Sequence, residues 1–262
     1  MIDTESAEGL DRAAISIVTV VKNNIRGLVR TFSSLEEQDF LNWEMIIVDG
    51  NSGDGSLELA QNLANQDSRI RLIQQTDSGI YAGMNLGLLQ VKGQYVLFLN
   101  SGDILAGQQT LSNLLEILES KAPDLLVGGY SYKELGKEFV YAKRSKWISA
   151  NEISLNRRGL CHQSMVYRRD TLIGVGKYDI TYSLAADFNS ALLIAKSGKV
   201  FRTNLVLSKI ELGGISQSQI MKVLKEKQAS RVAIFGFISF GAIMGTFWSL
   251  GVKTKMKLNG SK

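Results

Sequence analysis

The sequence predicts an α/β fold built on a mainly parallel central sheet with helices on its faces. Three observations predict it. Short apolar, β-branched runs recur at 15–21, 43–48, 70–74 and 95–99. Stretches with helical apolar spacing separate them, and the connections are short. The runs carry few polar residues on either face, as parallel strands covered from both sides require. A chain of 262 residues with 45% apolar and 21% charged residues can bury a core of that size, as one large domain or a domain with an appendage.

The elements follow in order. Residues 15–21 form the first strand and Lys22-Asn23-Asn24 turn the chain. Leu28, Phe32 and Leu35 then mark a helical face. The second strand, 43–48, ends on Asp49-Gly50-Asn51-Ser52-Gly53-Asp54-Gly55. Leu57, Ala60, Leu63 and Ala64 make the next helix, and 70–74 the third strand. A turn holding Asp77 and Gly79 opens into a helix of about three turns. The fourth strand, 95–99, spills onto Asn100-Ser101-Gly102-Asp103. Beyond it come a helix at 111–118 and strands at 125–129 and 139–142. Residues 143–160, basic and holding Trp147, read as a loop over the crevice or a solvated surface loop. A strand follows Cys161-His162-Gln163-Ser164, and a helix covers 191–195. One or two β segments at 199–210 and a basic amphipathic helix at 217–231 complete the pattern.

Composition narrows the chemistry. The single cysteine, Cys161, excludes an internal disulfide and fits a reducing compartment. The single histidine, His162, argues against a His-rich zinc site. The start is acidic and lacks the apolar core of a signal peptide, so a cytoplasmic catalytic part is expected. The polar tips after the second and fourth strands fall on one edge of such a sheet, where open α/β folds take ligands. Asp49, Asp54, Asp77 and Asp103 can therefore converge on one crevice, although Asn-Ser-Gly-Asp is also ordinary turn chemistry. The glycines at 50, 53 and 55 let backbone N–H groups approach a phosphate, yet neither a Walker loop nor a Rossmann fingerprint is present. His162 fits a core histidine or a hydrogen-bonding cluster with Gln163 and Ser164. Asp187, near a helix start, fits an N-cap or a functional carboxylate.

Seven motifs occur together in order: IVTVVKN, EMIIVDGNSGDGS, DSGIYAGMNLGL, KGQYVLFLNSGD, HQSMVYRR, GKYDITYSLAADFNSAL and GGIS. In this they resemble family-2 glycosyltransferases, and most of all bacterial enzymes of exopolysaccharide and O-antigen assembly of the colanic-acid type. The resemblance spans roughly residues 15–216 and implies a GT-A fold. It implies an inverting transfer from a nucleotide-diphosphate-sugar to a lipid-linked acceptor in bacterial surface polysaccharide synthesis, with Mn²⁺ or Mg²⁺ as cofactor. Carried over residue by residue, Asp49 contacts the nucleotide base or ribose, with Asn51 beside it. Asp77 opens a second nucleotide-contacting segment with Gly79 and Asn85. Asn100, Ser101 and Asp103 sit where the family has its DxD-type metal motif, leaving Asp103 as the metal-binding carboxylate. His162 and Gln163 match a segment near the donor phosphates, and Asp187 matches the general base. The sequence departs from the family at that metal motif and at Ala82, where close relatives often carry aspartate. The alternative is a catalytically weak nucleotide-sugar-binding protein that kept the fold.

The expected organisation is a tail (1–14), a nucleotide-binding half (15–106), an acceptor half (107–216) and a basic, apolar extension (217–262). Residues 233–252 carry no charge, close to the ~20 residues a membrane-crossing helix needs. Lys222, Lys225, Lys227 and Arg231 precede them, and Lys253, Lys255 and Lys257 follow. These flanks suit an anionic membrane surface, with the segment spanning it or lying in its plane, and a buried hairpin is the alternative. No nucleic-acid partner is expected.

Overall fold

The computed structural model describes residues 14–77, 79–155, 160–213 and 218–236. Its first half alternates strand and helix as the periodicity predicts. β1 (Ile15–Val21), α1 (Ile25–Glu36), β2 (Trp43–Asp49), α2 (Ser56–Gln66), β3 (Ile70–Gln74), α3 (Ile80–Leu88) and β4 (Tyr95–Phe98) follow one another. Then come β5 (Ile104–Leu105), α4 (Thr110–Lys121), β6 (Leu125–Glu134), β7 (Lys137–Tyr141), β8 (Lys146–Ile148) and α5 (Ala150–Ser154). A 3₁₀ turn at His162–Ser164 leads into β9 (Met165–Arg168), α6 (Arg169–Gly174), α7 (Ala186–Ser197), β10 (Val200–Ile210) and α8 (Ile220–Phe235).

The main path of the sheet runs β3-β2-β1-β4-β9-β6-β10-β5. β1 pairs parallel with both β2 and β4, and β2 pairs parallel with β3. β9 is antiparallel to β4 and to β6, whereas β6 and β10 are parallel to each other. One reversed strand is thus wedged into an otherwise mainly parallel sheet. Along β1 the side chains alternate between two cores: Val18 joins the one under α3 and α7, Ile17 the one under α1 and α4. That alternation explains why β1 and β2 read as continuous apolar runs.

Two glycines let α3 approach the sheet. A Cβ on Gly87 would run into Val18, and one on Gly83 would lie 2.6 Å from Gln75 Oε1. Their spacing of four puts both on the same helical face.

Several expectations need revision. Residues 143–160 are not one loop over the crevice. Lys146–Ile148 pairs with the start of β10, at the sheet edge away from the ends of β1, β2 and β4, and α5 follows. The pull is aromatic: Trp147 meets Phe201 edge-on at 5.1 Å. β6 runs five residues beyond its expected end because its hairpin with β7 supplies a second ladder through Glu134. The basic helix covers 220–235 rather than 217–231. Of the expected apolar extension, residues 237–252 lie outside the described residues, and no described helix is long and apolar enough to cross a membrane.

Candidate active site

β1, β2 and β4 run parallel, so the chain leaves all three at one edge of the sheet. β9 runs the other way, and the His162–Ser164 turn ahead of it stands at that same edge. Sheet polarity alone therefore brings residues from 49, 100 and 162 together.

The turn after β4 is closed by the Asp103 N–H donating to the Asn100 carbonyl at 3.0 Å. Helix α1 holds it from below. The Thr31 hydroxyl accepts from the Gly102 N–H at 3.0 Å and donates to the Asp103 carbonyl at 2.8 Å. Ser101 Oγ donates to the Asn24 carbonyl, and the Asn24 amide donates to the Ser101 carbonyl, each at 3.1 Å. Gly102 has φ +107°, a backbone conformation that demands glycine, whereas the Glu211 carboxylate that a Cβ there would meet is exposed and free to swing aside.

Asp103 is 5% exposed. Its Oδ2 accepts from Gln163 Nε2 at 2.8 Å and its Oδ1 from the Glu211 N–H at 2.9 Å. Burial pushes its pKa up to about 6, the Glu211 charge adds to the rise, and the two hydrogen bonds oppose it. Asp49, at the end of β2, is fully buried. Its Oδ1 accepts from the Ser52 N–H at 2.9 Å. Asp49 Oδ2 and Asn100 Oδ1 are both buried without a hydrogen-bond partner. Buried polar atoms are nearly always paired, so two orphaned oxygens on the tips of β2 and β4 are the mark of a ligand site.

Other predicted residues are placed differently. Asp54 does not join the crevice chemistry. Its carboxylate accepts from Ser56 Oγ at 2.6 Å and from the Ile25 N–H at 3.0 Å, and these bonds hold its pKa below the usual carboxylate range. It ties the glycine-rich loop to α1. Asn85 gives its Nδ2 to the Tyr178 carbonyl at 2.8 Å and takes the Tyr178 N–H at 3.0 Å. The structure thus makes Asn85 a clamp on the segment before α7 rather than a free ligand-binding amide. Asn51 and Asp77 are exposed on their loops, and Gly79 turns the chain into α3 at φ +105°.

Asp187 does not cap α7. The N-cap is Ala185, and Asp187 stands inside the first turn. Its Oδ1 accepts instead from the Tyr81 hydroxyl at 2.8 Å. Burial and the Asp187 charge drive the Tyr81 pKa well above its ordinary value, so the phenol stays protonated and donates. Behind this pair lies a packed aromatic group. Tyr178 is 5.3 Å from Tyr81 and 5.0 Å from Phe98, centroid to centroid, and its hydroxyl meets His162 Nε2 at 3.3 Å. Burial lowers the His162 pKa, outweighing the Asp187 charge, so the imidazole is a neutral core member. Cys161 is inert, its thiol pushed up to about 12 by burial and by the charges of Asp103 and Asp187. Tyr81, which donates to Asp187, has its ring 6.4 Å from that of His162, next to the Gln163 that holds Asp103, and this ties the two carboxylates to one region.

A divalent cation of the Mg²⁺ or Mn²⁺ kind takes oxygen ligands. Among the described residues no three His, Cys, Asp or Glu side chains cluster as a metal cage. The Asn100–Asp103 turn offers one carboxylate and one orphaned amide oxygen. Both Asp103 oxygens already accept a hydrogen bond, so an ion there would have to use their remaining lone pairs.

The model of glycosyl transferase family 2 matches residues 16–173, more than half of the chain. The chain belongs to that family. This glycosyltransferase is 28% identical over 217 residues to a PGL/p-HBAD biosynthesis glycosyltransferase of Mycobacterium bovis, covering 79% of this chain and 80% of that one. It is 28% identical over 143 residues to glycosyltransferase GlyG of Streptococcus pneumoniae, covering 54% and 47%. In fold it matches Staphylococcus aureus TarS 1-349 in complex with UDP, with TM-score 0.66 and 17% identity over 84% of this chain and 66% of that one. A Pyrobaculum calidifontis mannosyltransferase in complex with GDP-Man and Mn²⁺ also matches, with TM-score 0.62 and 13% identity over 93% and 76%. The fold of the glycosyltransferase is the GT-A fold. Tyr81 and Tyr178 lie inside motifs whose family resemblance is visible, but their partners, like those of Thr31 and Glu211, are distant along the chain and their roles cannot be read from it.

Proposed function

We propose that this glycosyltransferase moves a sugar, with inversion at the anomeric carbon, from a nucleotide-diphosphate-sugar to an acceptor hydroxyl. The observation that carries the proposal is Asp187 itself, half-buried in the first turn of α7 and bonded to Tyr81, whose ring packs beside His162 in the turn that also carries Gln163, the partner of Asp103. Asp49 offers its unpartnered Oδ2 to the nucleoside, with Asn51, Asp77 and Gly79 on the loops beside it. Asp103 and Asn100 would hold a divalent cation, which would supply charge neutralisation to the leaving diphosphate. Gln163 keeps the Asp103 carboxylate oriented through its 2.8 Å bond.

The Tyr81 bond fixes one oxygen of Asp187 and leaves the other to take the acceptor proton. The acceptor oxygen then forms its bond to C1 as the C1–O bond to the diphosphate breaks, and the nucleoside diphosphate leaves with the electron pair. One displacement inverts C1, and no covalent sugar–enzyme species is needed. The acceptor we infer is a lipid-linked sugar in the synthesis of a bacterial surface polysaccharide. Residues 217–262 would bring the enzyme to the cytoplasmic face of the membrane.

The test is transfer from a panel of UDP- and GDP-sugars with Mn²⁺ to lipid-linked acceptors, with the anomeric configuration of the product read by NMR. The wild type should give product of inverted configuration. Asp187→Asn should lose ~10²–10⁴ in turnover while keeping donor affinity. Retained configuration, or near-wild-type turnover in that variant, would overturn the proposal.

A further inference from the structure

The segment that delivers Asp187 to the site is held from the far end of the chain. Residues 183–185 form the turn that leads into α7, and their backbone N–H groups lie ahead of the helix's own hydrogen-bond ladder. One carboxylate takes them. Glu226 Oε1 accepts from the Ser183 N–H at 3.2 Å and the Ser183 hydroxyl at 2.8 Å. Glu226 Oε2 accepts from the Leu184 N–H at 2.8 Å and the Ala185 N–H at 3.0 Å. Four bonds on one side chain are far more than surface packing needs. The N-cap residue Ala185 makes no side-chain cap bond, and Glu226 takes its N–H together with those of the two residues before it, so a negative charge sits beside a helix start, where an anion is favoured.

Helix α8 is itself anchored along α7, so the carboxylate cannot drift. Ser230 Oγ donates to Asn189 Oδ1 at 2.8 Å, and the buried Arg231 donates to the Ser154 carbonyl at 2.9 Å. The Arg231 guanidinium and the Lys227 ammonium both stand over the Phe188 ring, 4.9 and 5.1 Å from its centroid. Phe188 is the residue after Asp187.

We propose that Glu226 is a positioning residue for the general base: it fixes the backbone that aims Asp187, which makes helix α8 part of the catalytic apparatus. The proposal rests on the assignment of Asp187 as base. With Glu226→Gln, a carboxamide presents N–H groups to backbone N–H groups, so part of the hold on residues 183–185 is lost without loss of volume.

The experiment is a double-mutant cycle in the full chain. Turnover, acceptor KM, donor Kd and Tm are measured for wild type, Glu226→Gln, Asp187→Asn and the double variant. If Glu226 acts through Asp187, Glu226→Gln lowers turnover tenfold or more in the wild-type background. It should then change turnover by less than twofold in the Asp187→Asn background, with donor Kd constant throughout. A purely structural Glu226 predicts equal losses in both backgrounds, and that result, or no loss in either, overturns the proposal. The Asp187 assignment fails separately, through near-wild-type turnover of Asp187→Asn alone. Should Glu226→Gln not fold, Ser183→Ala removes only the hydroxyl donor and leaves the three backbone bonds. It should show the same background dependence at a few-fold loss, and background-independent behaviour there also overturns the proposal.

Discussion

At the residue scale the site depends on a few side chains whose partners lie far along the chain. Tyr81 is the sharpest case, with one hydroxyl on Asp187 and a ring buried against Tyr178. Tyr81→Phe keeps the ring and removes only the donor. A hydrogen bond to a charged group is worth about 1.5–3 kcal/mol, so turnover should fall by roughly 10–100-fold if that bond sets the geometry of the base. Donor affinity should stay constant, and steady-state kinetics beside nucleotide titration check both. Asp103 makes a second prediction, through pH. Its pKa rises from 3.8 unfolded to about 6 in the fold, chiefly because it is buried. Between those values the folded state binds the extra proton, so raising pH costs stability. The cost is on the order of 3 kcal/mol by pH 7. Denaturant melts in EDTA from pH 4 to pH 7 should show wild type losing stability relative to Asp103→Asn across that window. The gap should be flat above it. Asp103→Ala should also abolish metal-dependent donor binding, checked by calorimetry with Mn²⁺.

At the scale of elements, close packing of α3 and the anchoring of α8 matter most. Gly87→Ala would push a methyl into Val18, and overpacking of this kind costs about 1–3 kcal/mol. Chemical denaturation should register that loss with an unchanged m-value. For α8, Ile234 and Phe235 pack against the core, and Lys196 Nζ donates to the Ile234 carbonyl at 3.4 Å. A chain ending at Gly236 should therefore keep its Tm, whereas one ending at Gly213 should melt lower and lose transfer, since α7 loses Glu226. Differential scanning calorimetry separates the two. The strands β1 to β4 were legible because burial on both faces writes itself as unbroken apolar runs. The role of Glu226 was not, because a carboxylate on a basic helix looks solvated until the fold brings Ser183 to it. Asn85 misled for a related reason: an amide inside a recognised motif reads as ligand-binding, yet both its polar atoms are spent on Tyr178. Asp187 was placed correctly near a helix start, and only the coordinates of Tyr81 and Ala185 tell a presented carboxylate from a cap.

At the scale of the whole molecule the reversed strand β9 is the organising fact. Local periodicity predicted a mainly parallel sheet, but strand order is a long-range property that no window of sequence contains. β9 enters between β4 and β6, although both precede it in the chain. During synthesis from the N-terminus, residues 15–98 can pair β3, β2, β1 and β4 among themselves. The outer edge of β4 then stays bare until Met165–Arg168 has been made, and an uncovered strand edge invites pairing with other chains. The helix bearing Asp187 is made later still, and the carboxylate that fixes its start only at residue 226. On the proposed roles, a ribosome-bound chain made only as far as α7 would already carry Asp49, Asp103 and Asp187 and still lack the Glu226 carboxylate that holds the start of α7, so competence for transfer would lag behind the making of the site residues themselves.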